Sequence, residues 1–308
     1  MNKYLITGGA GFIGSHLSRA LLKLNNEVIV IDDYSTNAVE KIDSKIKIYK
    51  TDIENIAEIK KIFKKEKPDI VYHLAGVISL RRKITDPLFI KSLDFLGRTK
   101  AILDVCRENN VKKLVFISSG GAIYEDARVI PTPRDYPAHP TSLYGLANLM
   151  IEKYIQLYCR EYKMNFIILR LSNVYGPRQW ASGIIPSLII NLLREEIPVI
   201  YGDGTQTRDF IYIDDVIKAS ILVLNKGKTG IFNVGSGKEV SLNEIFKLLK
   251  DILGAKIKPI YKTLVTQESK RSALNIEKTK KEFGWKNQTN LKDGLNETVK
   301  WFQKNGRR

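Results

Sequence analysis

A chain of 308 residues can bury a full hydrophobic core, and 44% hydrophobic with 27% charged residues is the balance of a soluble enzyme, not of a disordered or fibrous chain. The 50 lysines and arginines against 33 acids leave a net charge of +17. The lysines are scattered over helical stretches, as at Lys60, Lys61, Lys64, Lys65 and Lys67, with no aromatic-interleaved basic motif, so a solvated surface is favoured and nucleic acid is not an expected partner.

No apolar run reaches the length of a membrane span, and no leader pattern precedes the first strand. Cys106 and Cys159 lie in helical stretches without metal-ligand spacing and read as reduced thiols, so the cytoplasm is the expected compartment. In chain order, the first element is an apolar strand over Tyr4–Thr7. It runs into Gly8, Gly11 and Gly14 and then into a helical stretch, Ser15–Leu24. Glycines there let the chain turn tightly and let the backbone approach a pyrophosphate, which the helix N-terminus attracts. The next strand, Val28–Ile31, ends in Asp32, at the distance where a carboxylate can take the hydroxyls of an adenosine ribose. Such a carboxylate repels a 2′-phosphate, so the pattern predicts NAD over NADP. The bland alternative is a glycine-rich turn without a ligand.

Further strands are predicted at 46–49, 69–74, 113–117 and 166–170, separated by helices near 54–66, 88–109 and 142–163. This alternation predicts an α/β fold of the Rossmann type, a doubly wound parallel sheet. From about residue 177 the pattern becomes irregular, with short helices near 183–195, 214–225, 241–253 and 291–304. Strands at 209–213 and 230–234 are placed to rejoin the sheet. The expected division is an NAD-binding domain over 1–176 and a smaller, mostly helical substrate lobe over 177–308, with 209–234 returning to the first domain. The active site is expected between the lobes, at the carboxyl ends of the strands.

Several motifs occur in a telling order: Thr7-Gly-Gly-Ala-Gly-Phe-Ile-Gly14, His73-Leu-Ala-Gly76, Ser118-Ser-Gly-Gly-Ala-Ile-Tyr124, Tyr144, Asn173-Val-Tyr-Gly-Pro-Arg178, Asp203-Gly-Thr-Gln-Thr-Arg-Asp-Phe210 and Phe283-Gly-Trp285. Across essentially its whole length the chain resembles the extended short-chain dehydrogenases/reductases of the nucleotide-sugar epimerase/dehydratase family, UDP-galactose 4-epimerase-like enzymes above all. The resemblance implies tightly held NAD, a nucleoside-diphosphate sugar such as a UDP-sugar as substrate, and a homodimer packed through the helices near 88–108 and 142–163. It implies cofactor contacts from Gly8, Gly11, Phe12, Ile13, Gly14, Asp32, Asp33, Asp52, Ile53, Leu74, Ala75 and Gly76. Tyr34, Ser35 and Thr36 stand beside them as candidates for the adenosine side, and Asp52 could instead cap the following helix.

The chemistry implied is transient oxidation of a sugar carbon, with Tyr144 matching the family's acid/base. A tyrosine with an ordinary pKa of about 10 must be acidified to work near neutrality. The family uses a lysine one helical turn on for this, but this chain has Asn148 there. Asn148 can still reach the nicotinamide ribose but brings no charge. Lys153, nine residues on, falls on the opposite face of the helix. Gly120 stands where many relatives have a hydroxyl, which leaves Ser119 as the nearest polarising group. Ser118 and Ser119 could equally cap backbone.

Asn173 and Arg208 match the family's diphosphate contacts. An arginine suits a diphosphate through its planar fork, although a salt bridge from Arg208 to Asp209 or Asp214 is the competing reading. The second phosphate arginine is missing from the stretch Val265–Glu268, with Arg271 or Lys270 as possible substitutes. Ser272 is small where some 4-epimerases exclude 2-acetamido sugars, and Asp94 replaces a structural asparagine. No metal is expected, since His16, His73 and His139 lack partners at ligand spacing. The leading expectation is an NAD-dependent 4-epimerase of a UDP-hexose or UDP-N-acetylhexosamine. A UDP-sugar decarboxylase or other modifying enzyme of the same fold is one alternative, and a catalytically impaired NAD and nucleotide-sugar binding protein is another.

Overall fold

The computed structural model describes residues 2–35, 42–76, 87–125, 127–179, 183–224, 228–263 and 269–305, with the side chains of the helix that begins at Pro87 described from Phe95. Its strands are β1 (Lys3–Thr7), β2 (Glu27–Asp32), β3 (Lys47–Lys50), β4 (Ile70–His73), β5 (Lys113–Ser119), β6 (Phe166–Leu171), β7 (Asn173–Tyr175), β8 (Val199–Tyr201), β9 (Thr207–Arg208), β10 (Phe210–Tyr212), β11 (Gly230–Val234), β12 (Val240–Ser241) and β13 (Ile260–Lys262). The helices are α1 (Phe12–Lys23), α2 (Ile56–Glu66), α3 (Pro87–Glu108), α4 (Gly120–Ile123), α5 (Leu143–Glu161), α6 (Ile184–Leu193), α7 (Ile213–Leu222), α8 (Leu242–Leu253), α9 (Glu277–Phe283) and α10 (Leu291–Asn305).

Seven strands form one parallel sheet in the order β11-β6-β5-β4-β1-β2-β3. Both faces are covered, so the inner strands are apolar throughout instead of alternating with polar residues. Alternate residues feed two cores: Ile6, Val28 and Val30 pack with Leu17, Leu21 and Val216, and Leu5, Ile29 and Ile31 pack with Ile59, Phe63, Ile102 and Ile155. Chain order reverses between β1 and β4, which opens a crevice at their carboxyl ends.

Local signals explain the element ends. Ser241 and Glu244 form a reciprocal capping box at the start of α8, and Gly254 closes the same helix in the left-handed conformation. The single turn α4 was not legible beforehand, because Gly120-Gly121 is a poor helix sequence.

The two late strands part company. β11 pairs with β6 over five residues at the edge of the sheet. The strand expected over 209–213 does not rejoin it: β10 pairs in parallel with β7, apart from the seven strands. β11 takes the side of β6 that β10 was expected to join. β10 pairs instead with the continuation of the chain beyond β6, after Ser172, where the Tyr175 ring packs edge-on against Phe210 and Tyr212.

Candidate active site

The glycine cradle forms at the crevice. Gly8 has a φ of +69°, and a Cβ there would lie 2.8 Å from the Ala75 nitrogen. A Cβ on Gly14 would lie 2.3 Å from the Gly8 carbonyl oxygen, so α1 can close on the turn only without one. Gly11 is the N-cap of α1 and offers no side chain to its open N–H groups, which leaves them to an anion. Phe12 and Ile13 begin the helix, and Leu74, Ala75 and Gly76 follow β4 directly opposite. The Leu74 and Ala75 N–H groups both donate to the Thr7 carbonyl at 3.1 Å.

Asp32, at the end of β2, is buried. Its Oδ2 accepts from the Ala10 N–H and its Oδ1 from the Tyr34 N–H, both at 2.8 Å. Burial raises its pKa, and these two bonds pull it partly back. A carboxylate has about four acceptor sites, so capacity remains for a ribose hydroxyl. Asp33 turns its carboxylate to the Ser35 N–H and hydroxyl. Asp52 does not cap α2; Asn55 does, accepting from the Glu58 N–H. The Asp52 carboxylate instead accepts from the Glu54 N–H and faces Arg98 at 3.7 Å. Ile53 is buried beside it.

Under the cradle, the fully buried His73 joins Thr7 Oγ1 (2.8 Å from Nδ1) to Thr99 Oγ1 (3.2 Å from Nε2). Burial lowers its pKa to about 4. His16 meets the Pro177 carbonyl oxygen at 2.9 Å, and His139 is exposed.

The second cluster lies across the crevice, at the end of β5. Ser142 caps α5, which places Tyr144 in its first turn and Asn148 one turn on. Gly145 is needed for this, because a Cβ there would lie 2.2 Å from the Ala122 carbonyl oxygen of α4. The polar side chains of Ser119 and Asn148 stand beside the Tyr144 phenol. Burial raises the phenol's pKa, and these two neighbours lower it only in part. The Asn148 amide also donates to the Tyr144 carbonyl at 2.9 Å. Lys153 is exposed.

Behind them, the buried Glu152 accepts from Ser118 Oγ at 2.6 Å and from Arg170 Nη2 at 2.6 Å, and Arg170 also donates to Tyr124. Ser118 is thus a strut between β5 and α5. Glu152 and Arg170 were missed from the sequence. Glu152 stands two turns beyond Tyr144 on one helix face, and that spacing was the available signal.

The third cluster comes from the later part of the chain. Asn173 Oδ1 and Ser272 Oγ lie 3.7 and 3.9 Å from where a Cβ on Gly121 would be, so both border the Gly120-Gly121 turn. Arg208 Nη1 donates to the carbonyls of Thr207 and Ser269, at 2.8 Å each. Arg271 pairs with Glu239, which also accepts from the Thr207 hydroxyl. Asp209, weighed beforehand only as a salt-bridge partner, is fully buried and accepts from Ser236, Gly237 and Leu274. The stretch Val265–Glu268 and Thr36 lie outside the described residues, as does the side chain of Asp94. Among the described residues no group of His, Cys, Asp or Glu could hold a metal ion, and no helix is long and apolar enough to cross a membrane.

Comparison with known proteins agrees with this arrangement. A Methanocaldococcus jannaschii protein provisionally named a UDP-glucose 4-epimerase is 39% identical over 306 residues, covering 98% of this chain and 99% of its own length. A crystal structure of UDP-glucose 4-epimerase from Thermotoga maritima with UDP-glucose has 37% identity and a TM-score of 0.94, covering 98% of each chain. A UDP-N-acetylglucosamine 4-epimerase from Methanobrevibacter ruminantium, in complex with UDP-N-acetylmuramic acid, has 32% identity and a TM-score of 0.91, covering 98% of each chain. Residues 4–235 match the NAD dependent epimerase/dehydratase family. With a glycine cradle facing a tyrosine–serine pair across one crevice, and with relatives matching end to end, the chain belongs to the NAD-dependent epimerase/dehydratase family.

Proposed function

We propose that this chain is an NAD-dependent nucleotide-sugar 4-epimerase whose substrate is a UDP-hexose or UDP-N-acetylhexosamine. The observation that carries the reading is the buried Tyr144 phenol beside Ser119 at the carboxyl end of β5, two strands along the parallel sheet from the glycine cradle at the carboxyl end of β1. The cradle and the remaining acceptor capacity of Asp32 fit a dinucleotide with an unmodified ribose. When bound, NAD supplies the two-electron acceptor and donor for the sugar carbon. Tyr144 Oη takes the proton of the sugar 4-hydroxyl and returns it after the sugar has turned over, while Ser119 Oγ orients that oxygen. Asn173, Arg208 and Arg271 hold the diphosphate through the turn. Ser272 and the bare Gly121 leave room at the sugar, which favours acceptance of a 2-acetamido group. The UDP-sugars named for the relatives support the nucleotide.

Two further parts of the reading concern setting. The α5 side chains Leu146, Met150 and Leu157 are 41%, 37% and 55% exposed on one face, and their helical spacing supports a homodimer through α3 and α5. Its mass by sedimentation is the check, and a monomer at micromolar concentration would refute it. The buried free thiols Cys106 and Cys159 suit a reducing compartment such as the cytoplasm.

The test is turnover by the purified, NAD-loaded protein on UDP-glucose, UDP-N-acetylglucosamine and UDP-glucuronate. The expected result is a C4 epimer from at least one of them, abolished in Tyr144→Phe. A decarboxylated product would replace the reading with a decarboxylase. Asn148 favours one competing reading, an impaired enzyme; NAD and UDP binding without turnover in the parent chain would establish that instead.

A further inference from the structure

Asp209 sits where the segments bearing the sugar-nucleotide residues converge. It follows Arg208 directly and precedes β10. Its backbone carbonyl accepts from the Asn173 N–H at 2.8 Å, which fixes the start of β7. Its carboxylate is 0% exposed and is filled by neutral donors: Ser236 N–H and Oγ on Oδ1, both at 2.7 Å, and the Gly237 and Leu274 N–H groups on Oδ2, both at 3.1 Å. The neighbouring Gly235 must be glycine to admit it, since a Cβ there would lie 2.5 Å from Oδ2. Leu274, two residues past Ser272, in turn lays its side chain over Gly120, where a Cβ would lie 2.7 Å from Leu274 Cδ1. Asp209 thereby ties two sides of the site together: its backbone carbonyl holds Asn173 beside Arg208, and its carboxylate holds Leu274, which carries the Arg271–Ser272 segment and packs on the turn after Ser119. A buried charge held only by neutral donors is costly to keep, and fold stability could be served as well by apolar packing.

We propose that Asp209 is a positioning residue for the sugar-nucleotide end of the site, fixing Arg208, Asn173 and Ser272 relative to one another so that they can grip one ligand. The inference rests on the epimerase reading. It concerns the placement of the ligand-gripping residues and leaves the cofactor cradle untouched.

Asp209→Asn keeps the shape but turns an NH2 group against at least one backbone N–H whichever way the amide is flipped. The measurement is UDP affinity by calorimetry on the NAD-loaded full chain, with KM and kcat for the sugar nucleotide the parent turns over, bound NAD and Tm. Thr298→Val, which removes a buried hydroxyl bond inside α10, serves as the stability control. The expected result is UDP affinity about tenfold weaker and KM raised to match, with kcat within about threefold and NAD stoichiometric; Thr298→Val loses Tm alone. Unchanged UDP affinity and KM would overturn the proposal, as would losses of NAD, kcat and KM that track Tm in both variants. If Asp209→Asn does not fold, Ser236→Ala, which removes one donor, must raise KM or the proposal falls. A parent chain that binds no UDP would bring down the epimerase reading, and the inference with it. A parent that binds UDP while Asp209→Asn binds it equally would overturn the inference alone.

Discussion

At Tyr144 the surroundings work against ionisation. Burial raises the phenol's pKa, Ser119 and Asn148 offset only part of that, and the position one turn on holds an amide where a cation would do more. Each pKa unit is worth about 1.4 kcal/mol, or about tenfold in phenolate. The rate of the parent chain is therefore expected to climb with pH from neutrality into the alkaline range. In Asn148→Lys the ascending limb should move to lower pH, with kcat at pH 7 up by about tenfold or more; a pH–rate profile of both proteins checks this, and superimposable limbs would refute it. The departure at 148 was legible from the sequence, because one turn of helix fixes its face. What Asn148 does with its amide was not: the bond back to the Tyr144 carbonyl depends on the rotamer.

Among the elements, the meeting of α5 with α4 sets where the Tyr144 hydroxyl lies relative to Ser119. With the Ala122 oxygen 2.2 Å from a Cβ on Gly145, Gly145→Ala must push the start of α5 away. A shift of about 1 Å at reacting groups costs about a hundredfold. The expected outcome is kcat down by that order with bound NAD unchanged, read by steady-state kinetics beside the absorbance of the purified protein. Loss of NAD instead would mean that the disturbance reaches the cradle. Hydrophobic periodicity located α5 and the sheet strands to within a few residues because burial imposes it. It could not place β10, since three apolar residues carry no signal for which strand they will pair with. Nor could it reveal the Arg170–Glu152 pair or the donors around Asp209, which are brought together only by tertiary folding from residues far apart in sequence.

For the molecule as a whole, stability should depend on pH through His73. Its folded pKa is lowered by burial from 6.5 to about 4, so the unfolded chain takes the proton first. The contribution is complete above 6.5 and is lost as pH falls from there towards 4, up to about 3 kcal/mol. Asp32 and Asp209 oppose part of this, since their raised carboxyls favour the folded state once protonated at low pH. Urea midpoints between pH 7 and 4.5 should fall for the parent chain, and less steeply for His73→Gln; parallel slopes would show that His73 is not responsible.

The order of the strands also divides the molecule dynamically. β11 is paired on one side only, and the Ser236 and Gly237 donors of Asp209 follow it immediately. β2 and β1 lie four and more strands away across the sheet. Edge strands open by local fluctuation, whereas central ones exchange their amides only when the whole domain unfolds. Amide hydrogen exchange should therefore sort the sheet into two classes, with the fast one at its two edges, Gly230–Val234 and Lys47–Lys50. Each opening at β11 dissolves the sugar-nucleotide end while the dinucleotide cradle stays closed, so a bound sugar nucleotide should slow exchange along β11 and leave β2 unchanged.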